Sequence, residues 1–233
     1  MQTKYLLEIS VGTLEAALAA ERGGADRIEI CADLSVGGVT PSVTLMGGVR
    51  EQLQIPIFAM IRPRGGDFVY SNAEFAAMKS AIASAKKLGM DGVVLGILRQ
   101  DRRVDVHRTG ELIKLVRPLP TTFHRAFDES SDPRQALEHV IQTGAKRILT
   151  SGGAKNAPEG AGVLAKLVAA ARDRIVIVPG AGINASNIAH VAKETGAREF
   201  HSGLSSALPY GSHDFAKFEA EVRKLAEALA QLS

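Results

Sequence analysis

The sequence predicts an α/β fold in which eight parallel strands, each followed by a helix, close into a single-domain (β/α)8 TIM barrel. Three observations carry this prediction. Short apolar segments rich in β-branched residues alternate with Ala- and Leu-rich segments of helical periodicity, as in parallel βαβ units. Eight such pairs occur, whereas an open doubly wound sheet needs only about five or six. A repeated glycine phrase and a length of 233 residues also fit one barrel over residues 1–233.

The predicted strands recur along the whole chain. They are Leu6–Val11, Arg27–Cys31, Ile55–Arg62, Gly92–Leu98, Pro120–Phe127, Arg147–Gly152, Ile175–Gly182 and Glu199–Gly203. Helical periodicity between them is clearest over Leu14–Ala20, Ala73–Leu88 and Pro133–Thr143.

Local signals mark where several helices begin. Ser71 with Glu74, and Asp132 with Gln135, have the spacing of a capping box. Prolines that a first helical turn tolerates stand at Pro41, Pro133 and Pro158.

A repeated phrase precedes each even-numbered strand. Its copies are Gly24–Ile28, Gly89–Val93, Gly144–Ile148 and Gly196–Phe200. Each copy starts with a glycine suited to end a helix in the left-handed conformation. Successive copies are separated by about two βα units, which is typical of a barrel with quarter symmetry.

The charge, the apolar segments and the cysteine content of the chain indicate which partners and which cellular compartment to expect. The net charge is +3 and basic residues are interleaved with acidic ones, so we expect no nucleic-acid partner. No apolar stretch is long enough to span a bilayer, and Met1–Leu7 does not resemble a signal peptide, so we expect no membrane partner. A single cysteine excludes an internal disulfide and is compatible with the reducing cytoplasm, where we place the protein. No nucleotide or organic cofactor is indicated.

Polar residues interrupt the apolar strands near the ends that form the mouth of a barrel. The candidates for acid–base work are Glu8, Glu29, Arg62, His124, Asp128 and His201. The period of two along a strand places Glu8 with Ser10, and Glu29 with Cys31, on the luminal face. Two interpretations remain open. The residues form either a buried structural ion network or a catalytic or binding constellation with Glu as base and His as acid.

Glycine-containing turns after the last three strands form a second candidate site, for an anion. The residues are Ser151, Gly152, Gly153, Gly180, Gly182, Ser202 and Gly203. Backbone amides of such turns can bind an anion, and barrels often hold phosphate after their last two strands. Tight turns require glycine in any case, so packing is the alternative explanation.

The longest connection, Arg62–Tyr70, combines arginines, a glycine pair and aromatic residues. Either it covers the mouth as a lid or anion clamp, or it is a packed surface loop whose arginines pair with Asp67 and its neighbours.

Five longer motifs resemble the CutC family of copper homeostasis proteins. They are Glu29–Ser35, Gly37–Ser42, Met60–Phe68, Thr122–Asp128 and Ile148–Gly153. The resemblance extends from the first strand to Glu199–His201. It implies a TIM-barrel protein that is cytoplasmic, usually oligomeric, and binds or handles Cu(I).

The resemblance also implies where copper binds. In the family, cysteines at the ends of the first two strands are the residues associated with copper binding. Here Cys31 matches the second position and Ser10 stands at the first. A second ligand for Cu(I) would come from Met60 or from another subunit.

Three functional hypotheses follow. The first is a CutC-type protein that binds Cu(I) through Cys31. The second is an enzyme of isomerase, aldolase or lyase type acting on a small anionic or phosphorylated, sugar-derived metabolite. The third is a barrel retained as an interaction scaffold.

Overall fold

A computed structural model describes residues 5–204 and 211–232. Its strands are β1 (Leu6–Val11), β2 (Arg27–Ile30), β3 (Ile57–Met60), β4 (Gly92–Leu95), β5 (Thr121–Phe123), β6 (Arg147–Thr150), β7 (Val176–Pro179) and β8 (Glu199–Ser202). All paired strands are parallel, in the order β7–β6–β5–β4–β3–β2–β1–β8. Since β7 also contacts β8, the sheet is nearly closed, and the predicted TIM-barrel fold is confirmed.

Eight α-helices in the described part of the chain surround the barrel. They are α1 (Leu14–Arg22), α2 (Val43–Gln52), α3 (Asn72–Lys87), α4 (Val106–Val116), α5 (Pro133–Thr143), α6 (Ala161–Ala171), α7 (Ile188–Thr195) and α8 (Phe215–Ala230). The outward faces of the strands, represented by Leu7, Ile9 and Ile28, are buried in the core beneath these helices. Within the described ranges, no helix combines the length and apolarity needed to cross a membrane.

The local predictions are mostly confirmed. β1 and α5 have the predicted bounds, and Ser71 forms the capping box with Glu74. Pro133 begins α5. The predictions for Pro41 and Pro158 are wrong, because both precede the N-caps of their helices, Ser42 and Gly160. The glycines that open the repeated phrase all have positive φ, from +71° to +95°.

Several strands are shorter than predicted, β5 most clearly. It stops at Phe123, because the next residue, His124, caps a 3-10 turn over Arg125–Glu129. The Nδ1 atom of His124 accepts a hydrogen bond from the Ala126 amide at 3.3 Å. The predicted domain, 1–233, includes residues 1–4, 205–210 and 233, which lie outside the described residues.

The Arg62–Tyr70 connection is packed against the barrel. Arg64 donates hydrogen bonds to the Asp67 carboxylate at 2.9 Å and to the Glu74 carboxylate at 2.6 Å. Phe68 and Tyr70 are buried. This arrangement matches the packed-loop alternative.

Candidate functional site

The carboxyl ends of the strands surround a cavity of about 510 Å³. Its polar lining includes Ser10, Glu29, His124, Asp128, His201 and Ser202, together with Gly182 and Gly203. A cavity of this size suits a small metabolite. Four of the six candidate acid–base residues therefore share one cavity, and the other two, Glu8 and Arg62, do not line it.

The Glu8 carboxylate contacts two other side chains in the lumen of the barrel. Its Oε1 lies 2.7 Å from Nδ1 of His201, and its Oε2 accepts a hydrogen bond from Nε of Arg27. All three side chains are buried. The pairing compensates for the cost of removing these charges from water.

The network continues to the opposite end of the barrel. Nη2 of Arg27 donates a hydrogen bond to Oε2 of Glu199 at 2.8 Å. The same oxygen accepts a hydrogen bond from Nε of Arg147, also at 2.8 Å. Both guanidinium groups lie over the ring of Phe58, at 4.8 and 5.3 Å from its centroid. A continuous series of charge contacts thus crosses the lumen from Arg147 to His201.

Glu29 differs from Glu8 although both are luminal carboxylates. Among the described residues none donates a hydrogen bond to the Glu29 carboxylate, and its Oε2 is buried without a partner. Ser10 lies opposite it on β1 and Phe58 opposite it on β3. Glu29 is thus a buried carboxyl group that faces an open cavity.

Opposite pKa shifts follow from these surroundings. Burial opposes ionisation of Glu8, but the charge of Arg27 and the contact with His201 outweigh it and lower the pKa of Glu8 to about 2. Burial raises the pKa of Glu29 to about 7, and the neighbouring Glu8 charge acts in the same direction. Burial alone would lower the pKa of His201, yet Glu29 and Glu8 raise it above its ordinary value. The pKa of Glu29 thus lies near neutral pH, and that of the neighbouring His201 lies above its ordinary value.

His124 lies across the cavity in a less polar setting. Its ring packs on Phe68, with the centroids 4.8 Å apart. Burial, aided by the charge of Arg62, lowers the pKa of His124 to about 3. Because Nδ1 accepts from a backbone amide, the neutral ring carries its proton on Nε2, which has no partner among the described residues. The Nε2–H group of His124 is therefore a buried donor without an acceptor in the described part of the chain, on a residue that lines the cavity.

Arg62 is directed at backbone rather than at the cavity. It donates to the carbonyls of Val36 at 2.8 Å, Gly38 at 3.0 Å and Gly66 at 2.8 Å. Its guanidinium also lies 4.7 Å from the ring centroid of Phe68. Arg62 thereby joins two loops at the rim of the mouth.

Asp128 occupies the first of the predicted anion turns. Its carboxylate accepts from the backbone amides of Ser151 and Gly153, each at 3.1 Å, and from the Ser151 hydroxyl. Arg125 adds an ion pair at 2.9 Å. The amides of this turn are therefore used by an anion of the chain itself.

The other glycine turns have packing reasons for their glycines. A Cβ at Gly180 would lie 2.4 Å from Leu149, and one at Gly182 would lie 2.9 Å from Asn156. A Cβ at Gly203 would lie 3.0 Å from the Ser10 hydroxyl. Gly182 and Gly203 still line the cavity, so anion binding there stays a prediction.

Cys31 and Met60 form a small apolar cluster in the lumen with Phe58 and Val94. Both sulfur side chains pack on Gly38, where a Cβ would lie 3.1 Å from Cys31 Sγ and 3.6 Å from the Met60 methyl carbon. Burial, together with the Glu29 charge, holds the pKa of the Cys31 thiol well above its usual range. Met60 lines the cavity.

Sequence reasoning missed three members of the luminal network: Arg27, Arg147 and Glu199. A signal for two of them was available. Arg27 stands two residues before Glu29, and Glu199 stands two residues before His201, so the period of two predicts the same face. For Arg147, the one neighbour on the same face within β6, Leu149, is apolar, and only the tertiary structure places Arg147 beside Glu199.

Comparison with known proteins shows extensive similarity. The CutC family model matches residues 5–206. A CutC family protein of Chromobacterium violaceum is 45% identical over 96% of this chain and 98% of its own length. The human protein named copper homeostasis protein cutC homolog is 46% identical over 89% of this chain and 76% of its own. A solved CutC structure from Streptococcus agalactiae superposes with a TM-score of 0.82 at 32% identity, covering 85% of this chain and 98% of that one.

Proposed function

This chain belongs to the CutC family, and we propose that it serves copper homeostasis as a cytoplasmic, oligomeric protein that binds Cu(I). The human and mouse relatives are named as copper homeostasis proteins, which supports the copper part of the proposal. The metal is cargo in this function, and Cys31 with Met60 would hold it.

The observation that carries the proposal is the adjacency of two soft ligands. Cys31 and Met60 share one luminal cluster and both pack on Gly38. Thiolate and thioether sulfur are the ligands that Cu(I) prefers. Ser10, which stands where the family resemblance places a cysteine, offers a hydroxyl oxygen, so Met60 is the better second ligand within the chain.

Entry of the ion would proceed from the mouth. Met60 lines the cavity, whereas Cys31 does not line it and is completely buried. The Cys31 thiol, whose sulfur lies 3.7 Å from the Val11 carbonyl oxygen, must lose its proton to bind the metal. The raised pKa of this thiol makes binding more favourable as pH rises.

Competition with a chelator tests this proposal. The reduced protein is titrated with Cu(I) in the presence of a Cu(I)-specific chromogenic chelator. Cys31→Ser should reduce Cu(I) affinity at least about 100-fold, and Met60→Leu should reduce it about tenfold or more. Met46→Leu, which changes a buried methionine of the outer core, is the matched control. Wild-type affinity in Cys31→Ser would exclude this site.

A second candidate function is supported by Glu29 and His201. Both line the cavity; the pKa of Glu29 is raised to about 7, which suits a general base, and the raised pKa of His201 favours its protonated form, which suits a general acid. This arrangement favours an isomerase, aldolase or lyase acting on a small anionic or sugar-derived metabolite.

Proton exchange tests the enzymatic candidate. Sugar phosphates and related keto acids are incubated with the protein in D₂O, and nuclear magnetic resonance follows deuterium incorporation beside the carbonyl group. Glu29→Gln should abolish incorporation. Glu129→Gln, an exposed glutamate at the rim of the same cavity, should leave it unchanged. Equal incorporation in wild type and Glu29→Gln would reject Glu29 as the base.

A further inference from the structure

We propose that Glu8, Glu29 and His201 form a binding site for a divalent transition-metal ion of the Zn²⁺ class at the floor of the cavity. The three residues offer ligand atoms that lie within 4.8 Å of one another, and all three are buried. The site is distinct from the Cys31–Met60 sulfur pair and does not depend on the proposed Cu(I) function.

The observation that points to a bound cation is the isolation of Glu29. This side chain is 3% exposed, its Oε2 has no partner, and no residue of the described ranges donates a hydrogen bond to its carboxylate. A buried carboxylate without donors is strongly disfavoured unless a positive charge meets it. A cation placed between Glu29, Glu8 and His201 supplies that charge.

The arginines of the lumen leave this requirement unmet. Arg27 contacts Glu8 and shares its charge with Glu199, which Arg147 also contacts. Two arginines therefore face three carboxylates, Glu29 being the third, and the remaining positive charge is a proton on His201, which a bound cation would replace. Arg27 binds Oε2 of Glu8, and Oε1 contacts Nδ1 of His201 at 2.7 Å, so a bound metal would replace the proton that these two atoms share.

The donor set selects the class of ion. Two carboxylate oxygens and one imidazole nitrogen suit Zn²⁺ and neighbouring divalent ions, whereas Cu(I) prefers sulfur and Ca²⁺ or Mg²⁺ prefers oxygen alone. Two ligand atoms that each bind a metal at about 2.1 Å lie at most about 4.2 Å apart. The ligand atoms here lie within 4.8 Å of one another, so small side-chain movements would bring all three to coordination distance. Since Glu29 and His201 line the cavity, water or a ligand can take the remaining coordination positions.

Isothermal titration calorimetry tests the site on the full chain. The protein is freed of metal with a chelator, exchanged into chelator-free buffer and titrated with ZnCl₂ at pH 7.5. One ion per chain should bind in wild type, and affinity should fall at least about 30-fold in Glu29→Gln and His201→Gln. Glu129→Gln is the matched carboxylate control for the same cavity. His190→Asn controls for adventitious binding at the exposed His190–Glu194 pair.

Spectroscopy with Co²⁺ gives a second readout in the wild-type protein. Ligation by Glu8, Glu29 and His201 predicts visible d–d bands without thiolate-to-metal charge transfer. A charge-transfer band would instead place the ion at Cys31 and overturn the proposal. Zn²⁺ affinity that is the same in Glu29→Gln as in wild type, or that is lost only in His190→Asn, would also overturn it. A failure to bind Cu(I) would leave these results unaffected.

Discussion

Nδ1 of His201 lies 2.7 Å from Oε1 of Glu8, although the two residues are 193 positions apart in the chain. Closure of the barrel, which places β8 beside β1, creates this contact. Through Glu8 and Arg27 the histidine is joined to Glu199 on the side of the lumen opposite the mouth. A residue of the candidate site is thereby held in position by a buried ion network.

Removing the charge of Glu8 should destabilise the fold. Glu8→Gln leaves the buried guanidinium of Arg27 with only one carboxylate, so we expect the free energy of unfolding to fall by about 3 kcal/mol. Urea denaturation at pH 7 measures the change. Glu138→Gln, which breaks the exposed pair with Arg174, should have little effect. Similar losses in the two variants would contradict a structural role for the luminal network.

Stability should depend on pH through Glu29. Its pKa rises from 4.5 in the unfolded chain to about 7 in the folded protein, so the folded state holds an extra proton between these values. This stabilisation is complete below pH 4.5 and is lost as pH rises through 7. The neutral variant Glu29→Gln should therefore match wild type near pH 4.5 and exceed it by about 3 kcal/mol at pH 8.

Urea denaturation in the presence of a chelator measures this difference at each pH. Glu129→Gln, whose side chain is exposed, should show no such pH-dependent gain. A constant difference between Glu29→Gln and wild type across this range would show that Glu29 keeps its ordinary pKa.

The Cys31 thiol should resist alkylation in the native protein. Its pKa is well above the usual range, so little of the reactive thiolate forms. The side chain is also completely buried, so the reagent cannot reach the sulfur in the native protein. We expect iodoacetamide at pH 7.5 to modify the native protein at least about 100-fold more slowly than the urea-unfolded chain, as followed by mass spectrometry. Comparable rates would mean that the lumen opens readily to solvent.

Two glycines at the start of α6 should respond oppositely to alanine. A Cβ at Gly160 would lie 1.8 Å from the carbonyl oxygen of Ser151, so Gly160→Ala should cost about 3 kcal/mol by displacing the turn that binds Asp128. Gly162 has nothing within 4 Å of its Cβ position, and Gly162→Ala should stabilise the helix by up to about 1 kcal/mol. Thermal unfolding distinguishes them, and equal melting temperatures would contradict the close contact.

The fold could be predicted because its signals are local. Apolar residues such as Leu7 and Ile9 alternate with Glu8 and Ser10, which assigns each residue of β1 to a face before any contact is known. The glycine that opens each repeated phrase marks a helix end for the same reason, since left-handed backbone is a property of a single residue. Strand ends were less predictable, because β5 stops where the His124 ring caps the following turn.

The sequence by itself determined the order of strands and helices, the luminal faces of β1 and β2, and four of the polar residues that line the cavity at the mouth. Only the tertiary structure decided the role of each of those residues. Glu8 contacts Arg27 and His201, whereas the Glu29 carboxylate accepts no hydrogen bond from the described residues; Asp128 fills the turn at Ser151, and Arg62 binds backbone carbonyls. These differences depend on distances between segments far apart in the chain, and such distances are set when the barrel closes and its helices pack.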